Sequence, residues 1–229
     1  IVVTSQAAAR MPRRRGARAG PRPCVFVPLT LPSGGAVSFL QRSHPFKGIR
    51  YVDGEKFADG HFSNEPGLGV RRLELHRSLL ERANELGVEQ IEMRAKNFSQ
   101  TDDRVIVDGQ ECRHLLVADG LHSPIRKKLG LNMPGKRPAR LGIRRHFNMK
   151  PWSPYVEVHW SPFAEAYVTP VDDNLVGVAI LFYKEKHARP ETQDRYFELL
   201  SLFPELKERL SEPPCTKLRG AGPFEQLVK

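Results

Sequence analysis

From Pro45 onward, apolar and polar positions fall into short regular runs. GIRYVDGEKFADGHF reads as a hairpin, with Ile49–Val52 and Lys56–Ala58 either side of an Asp53-Gly54 turn. The spacing predicts a helix over 71–86, because Leu75, Leu79, Ala83 and Leu86 recur at three- and four-residue steps and so share a face. Gly87 stands where a left-handed C-cap belongs. VEQIEM, RVIVDGQECR and HLLVADG read as short strands, with Asp108-Gly109 as a second hairpin turn. The continuous apolar run 115–118 predicts a strand buried on both faces. Ser123 caps a short helix running to Leu129, with Pro124 at its first position.

Beyond residue 138 the texture changes. RLGIRRHFN, YVEVHWS, EAYVTPV and NLVGVAILFY are four strand-like runs, which predict an antiparallel meander with a tight turn at Asp172-Asp173-Asn174. YVEVHW alternates, so one of its faces is expected to be wet. A helix over 193–203, ended by Pro204, completes the pattern, and no repeat of solenoid period occurs.

Residues 1–44 follow neither period. IVVTSQAAAR can begin a buried strand, but MPRRRGARAGPRP and the proline- and glycine-broken VFVPLTLPSGGAVSF leave no room for a long element. Three readings stay open for this stretch: a disordered basic arm, a targeting peptide, or residues translated out of their native frame.

Composition bounds the rest. At 229 residues and 40% apolar, the chain can bury a core as one sizeable domain or two small ones. No apolar run approaches the roughly 18 residues of a bilayer span, which rules out a membrane protein. Cys24, Cys112 and Cys215 lie far apart with no CxxC pair, so a disulfide scaffold or cysteine zinc site is not expected. A reducing cytoplasm is the default compartment. The net charge of +10 belongs to the N-terminus: residues 1–50 carry nine Lys and Arg and no acid, leaving 27 basic residues against 26 acidic ones elsewhere. The body is balanced, so the total charge gives no reason to expect nucleic acid as a partner.

The sharpest chemical signal is LLVADGLHSPIRKKLGL, residues 115–131. Asp119, at the C-terminal end of a strand, can accept from a ribose hydroxyl, Gly120 lets backbone approach a ligand, and Arg126 can reach a phosphate or carboxylate. The bland alternative is a strand-turn-helix held by an Asx turn. Other groups are weaker. His44, His61 and His76 lack metal-ligand spacing, so no metal is expected. His146 and His159 fall on the predicted sheet, where either a pocket or an ordinary core or surface place would suit them. Ser5, Ser33 and Ser38 lack a nucleophile-elbow context. Arg13-Arg14-Arg15 reads as a solvated arm, and Arg144-Arg145 should point to opposite faces of one strand.

Val117-Ala118-Asp119-Gly120, Ser123, Arg126 and Leu129-Gly130 resemble the second fingerprint of the FAD-dependent aromatic hydroxylase and geranylgeranyl-reductase superfamily. GLGVRRLELHRSLLERANELGVE resembles the family helix that opens with an Arg or Gln beside the flavin, and Arg72 falls at that position. GAGPFEQ resembles the return from the family's substrate domain. These matches cover roughly residues 45–229. The family's opening GxGxxG and late Gly-Asp motif do not occur, so the expectation is a flavoprotein incomplete at both ends.

The resemblance implies an α/β fold with α+β character: a partial FAD-binding Rossmann-like domain with an inserted antiparallel-sheet substrate domain. The expected division is an irregular basic segment at 1–44, part of the FAD-binding domain at 45–138 and the substrate domain at 139–229. It implies hydride or oxygen transfer at FAD on a small organic substrate, by a monooxygenase or a reductase, with NAD(P)H as the candidate electron donor. Arg72, Asp119, Gly120 and Arg126 are its implied FAD contacts. No catalytic acid or base stands out. The alternative is a non-enzymatic remnant of this fold without flavin, its basic arm binding anionic partners.

Overall fold

The computed structural model describes residues 2–3, 23–24, 43–93, 95–133, 135, 138–183, 193–224 and 227–228. The first elements are Val2–Val3 (β1), Pro23–Cys24 (β2), Ser43–Phe46 (β3), Gly48–Asp53 (β4), Lys56–His61 (β5), Gly67–Val70 (β6) and the helix Arg72–Glu85 (α1). Next come Ile91–Glu92 (β7), Phe98–Gln100 (β8), Val105–Val107 (β9), Gln110–Cys112 (β10), Leu116–Val117 (β11), the helix Pro124–Lys128 (α2) and Asn132–Met133 (β12). Arg140–Phe147 (β13), Val156–Trp160 (β14), Ala164–Asp172 (β15) and Leu175–Tyr183 (β16) are the long strands. Gln193–Leu200 (α3), Pro204–Arg209 (α4), Arg219–Phe224 (β17) and Leu227–Val228 (β18) close the order. The class is mixed α/β.

The chain divides into two compact units. One is built on His76–Met133 with β1, β2 and β18; the other takes residues 43–75 and the described part of 138–224. The hairpin β4–β5 joins the second unit because β4 pairs in parallel with β14, Ile49 opposite Val156 and Val52 opposite His159. A pairing across a hundred residues leaves no local mark.

The helix α1, which belongs to the first unit from His76 on, is made of strong helix formers, carries the Arg77–Glu81 and Arg82–Glu85 pairs, and ends in a Schellman motif. Gly87 takes φ +69°, with Gly87 N–H on the Asn84 carbonyl and Val88 N–H on that of Ala83. The expected apolar face is only half right. Ser78 and Ala83 are the buried residues, while Leu75 and Leu86 stand exposed. The hairpin β9–β10 turns on Asp108-Gly109, both at positive φ. The Asp108 carboxylate accepts from Lys96 N–H and from Asn97, which holds it below the ordinary carboxyl range. Leu116 is 51% exposed, so β11 is not buried on both faces as expected. Its described partner is the two-residue β1, parallel to it. Ala95, Val107 and Ile125 are the small core of this unit.

The second unit is dominated by a seven-stranded sheet in the order β17-β13-β16-β15-β14-β4-β5. Three of the four expected strands form the meander, β14-β15-β16. The fourth, β13, pairs with the far edge of β16, Ile143 opposite Ile180. The long connection 148–155 lets it bypass β14. The expected helix 193–203 is α3, which ends at Leu200, and Pro204 opens a further helix, α4, at its first turn. Tyr196, Leu199, Phe203, Leu206 and Leu210 from these helices pack on Ile143, Phe147, Ala166, Val168, Val178 and Ile180 of the sheet. Tyr196 donates its hydroxyl to the Val178 carbonyl.

The polar positions of β14 are covered. Glu157 and His159 lie beside Val168 and Ala166 on the helix-covered face and are buried, whereas Trp160, on the other face, is 48% exposed. The polar pair tolerates burial because it is internally satisfied. Glu157 accepts from Trp152 Nε1 at 3.0 Å and lies 3.1 Å from His159 Nε2. Burial works to raise the Glu157 carboxyl, but hydrogen bonds from His159, Trp152 and Ser153 outweigh it and hold the group below its ordinary value.

Candidate functional site

In the first unit β11 ends at Val117, and the chain turns through Asp119-Gly120 into α2. Ser123 caps this helix through Arg126 N–H at 3.0 Å, and Pro124 sits where a missing N–H costs nothing. Gly120 adopts φ +87°, a conformation an L side chain resists. Asp119 is 1% exposed, and its Oδ2 is buried without a hydrogen-bond partner among the described residues. A buried carboxylate oxygen left bare costs on the order of 1–3 kcal/mol or more. An Asx turn satisfying that oxygen is therefore not what this loop holds.

Arg126 is engaged within its own loop. Its Nε donates to Asn132 at 2.6 Å, and its terminal nitrogens reach the Gly120 and Leu121 carbonyls. The guanidinium braces the loop that presents Asp119. It acts on that loop as a positioning residue. Asp119, Gly120 and Arg126 thus form one constellation. Arg72 belongs to the second unit, at the first position of α1, and is exposed.

There Arg72 has company that the pattern of the chain does not announce. Arg144 on β13 and Arg219 on β17 are direct cross-strand partners. Arg144 is held below the ordinary guanidinium value by burial and then by the like charges of Arg72, Arg71 and Arg219. Among the described residues, none of these four arginines has a salt-bridge partner. Arg145, the neighbour in sequence, points the other way as expected: it is buried, donates Nε to the Thr216 carbonyl and lies over the Tyr196 ring.

His146 shares the face of Arg144 and is buried. Its backbone N–H donates to Thr216 Oγ1 at 2.9 Å, and its Nδ1 lies 3.3 Å from the same oxygen. Burial first, then Arg144 and Arg71, push its pKa down to about 4, so the imidazole is neutral at pH 7. Beside it opens a recess of about 510 Å³ walled by Arg71, Asn148, Asp172, Asn174, Cys215 and Thr216. Only Arg71 is shared between the recess and the arginine group. The volume is that of a small-molecule site. None of the recess residues carried a motif.

The remaining sheet face is aromatic. Tyr51 and Trp160 have ring centroids 5.3 Å apart. The Tyr167 hydroxyl donates to Glu165 at 2.6 Å, and Arg140 pairs with the same carboxylate at 3.0 Å. Burial and Glu165 raise Tyr167 to about 12. His44 meets Asp173, His61 meets Tyr155, and His159 is used by Glu157, so none reaches the recess through a named contact. No set of three His, Cys, Asp or Glu able to hold a metal occurs among the described residues. No helix among them is long and apolar enough to cross a membrane, which says nothing of a β-barrel. Arg13-Arg14-Arg15, Ser5, Ser33 and Ser38 lie outside the described residues.

No family model and no curated protein matches the chain. Solved structures do. The flavin-dependent halogenase CmlS matches with a TM-score of 0.69 at 18% identity, over 80% of this chain and 38% of that one. A flavoprotein/dehydrogenase from Cytophaga hutchinsonii matches at 0.68 and 18%, over 81% and 52%. The halogenase PltM in complex with phloroglucinol and FAD matches at 0.67 and 15%, over 82% and 45%. The chain therefore has the fold of these flavin enzymes, and it spans between 38% and 52% of their lengths.

Proposed function

We propose that this chain is part of an FAD-dependent oxidoreductase acting on a small organic substrate. The observation that carries the reading is the buried, unpartnered Oδ2 of Asp119, set behind the positive-φ Gly120 in a chain with the fold of flavin enzymes. These residues suit FAD: the bare carboxylate oxygen can accept a ribose or ribityl hydroxyl, and the glycine admits ligand close to backbone. Arg72 is proposed as a second contact, in keeping with its place at the start of α1. When bound, the flavin supplies hydride or oxygen transfer, with NAD(P)H proposed as electron donor. The protein's own part is to hold the cofactor and present the substrate. Trp160 and Tyr51, exposed on one sheet face with the half-buried Tyr167, are the proposed substrate side; the PltM structure holds phloroglucinol with its FAD.

The test is flavin retention. Purified chain incubated with FAD and desalted should stay yellow. Asp119→Ala should weaken FAD binding about tenfold or more, the effect of one lost charge-assisted hydrogen bond. Its circular dichroism should match the parent. A chain that stays colourless, or one whose flavin affinity ignores both Asp119→Ala and Asp119→Asn, would sink the proposal and favour a flavin-free remnant.

A further inference from the structure

Like charges directly opposite in an antiparallel pair are destabilising, and most sheets avoid them. Here Arg144 faces Arg219 across β13 and β17, and the row continues over Ala179, Tyr167, Val158 and Tyr51. All these side chains share the face opposite α3 and α4. At about 4.8 Å per strand, Arg144 and Tyr167 stand about 10 Å apart. That is the length of a small aromatic acid. At the cationic end no carboxylate pairs with Arg71, Arg72, Arg144 or Arg219 among the described residues. His146, next on the same face, is already bonded to Thr216 and adds no negative charge. Asp172, the one acid on the recess wall, has its Oδ1 taken by Asp173 N–H. The aromatic end has its polar groups paired: Tyr167 with Glu165, and Glu165 with Arg140. The face is thus cationic and unpaired at one end, and ring-lined and internally satisfied at the other.

We infer that this face binds an organic anion, with its acidic group, carboxylate or phosphate, held between Arg144 and Arg219 and its apolar body laid across Ala179 and Tyr167. Two arginines from adjacent strands present paired N–H donors to such a group, and its charge relieves their repulsion. This inference rests on the flavin reading for what happens to the ligand, and not for its binding.

The experiment compares benzoate with neutral benzamide, and phosphate with chloride at equal ionic strength. The proteins are the parent chain, Arg144→Gln and Arg219→Gln, followed by calorimetry and thermal unfolding. Both sites are exposed, so both variants should fold. The parent should prefer benzoate to benzamide at least tenfold, and each variant should lose that preference. Without anion, Arg144→Gln should melt above the parent; phosphate should erase the gap, and chloride should not. The same titrations with FAD identify the source of the acidic group. Unchanged FAD affinity in both variants assigns it to the substrate. A parallel loss of FAD affinity assigns it to the flavin diphosphate. A benzoate preference in a chain that takes no FAD keeps this site and removes the flavin reading. A parent that responds to phosphate as it does to chloride, and prefers no acid, overturns the inference.

Discussion

His146 is the residue whose charge the fold forbids. Its imidazole is buried against Thr216 under the field of Arg144 and Arg71, with its pKa pushed down to about 4. In the unfolded chain it returns to about 6.5. Between those values the unfolded state binds more protons, so this contribution is present above pH 6.5 and lost as pH falls toward 4. The arginine part of the field is screened by water, so the loss is on the order of 1–2 kcal/mol. Urea unfolding should show His146→Gln flattening the pH dependence over that window; an unchanged slope would refute the buried neutral imidazole. Asp119 is the opposite case at this scale, a buried acid with one oxygen unanswered. Its motif is legible as LVADG, but its burial is not. Arg126 belongs to the same motif, and its guanidinium reaches the Gly120 and Leu121 carbonyls, because a long side chain on the first turn of α2 folds back over its own loop.

At the scale of elements, the turns were the most readable. Asp108-Gly109, Gly87 and Ser123-Pro124 stand where local φ and capping chemistry put them. The Asp53-Gly54 hairpin also forms, and its turn falls on Gly54-Glu55 between the paired Asp53 and Lys56. What failed were faces. One face of β14 was expected in water without a rule for which, and Glu157 and His159 lie under α3 and α4, since alternation tells which residues share a face and not which face is covered. Gly69 shows a contact that local pattern hides. It sits in β6, and a β-carbon there would run into the carbonyl oxygen of Pro170 on β15. Backbone cannot yield as a side chain does, so Gly69→Ala should cost about 1–3 kcal/mol in chemical denaturation. Gly54→Ala meets no neighbour, and its cost comes from φ alone. Equal losses at the two glycines would contradict the close approach of β6 to β15.

Across the described residues, the two units are unequal. The second has fifteen buried residues in one cluster, from Ile143 to Leu210, whereas the cluster of the first is Ala95, Val107 and Ile125. Fully burying a large apolar side chain contributes about 1.5–3 kcal/mol, so the larger cluster should open last. Hydrogen exchange should find the slowest amides in β13, β15 and β16, and clearly faster ones in β8, β9 and β10. Comparable protection in both sets would show a single cooperative unit instead. The balanced charge of the body conceals a local imbalance of the same kind, four arginines gathered with no salt-bridge partner among the described residues. Composition averages over such groupings.

The turns, the caps, a helix over 71–86, the strand periods and the strand-loop-helix around Asp119 were legible along the chain, because each rests on interactions within a few residues. So was the resemblance to a flavin fold, through motifs of that same short range. Long-range packing alone sets that the hairpin 48–61 joins the large sheet, that β13 lies beyond β16, that Glu157 is buried, and that Arg144 meets Arg219. Those outcomes depend on which strand edges and faces come together, a long-range choice made by burying the sheet under α3 and α4. No local run of residues encodes it.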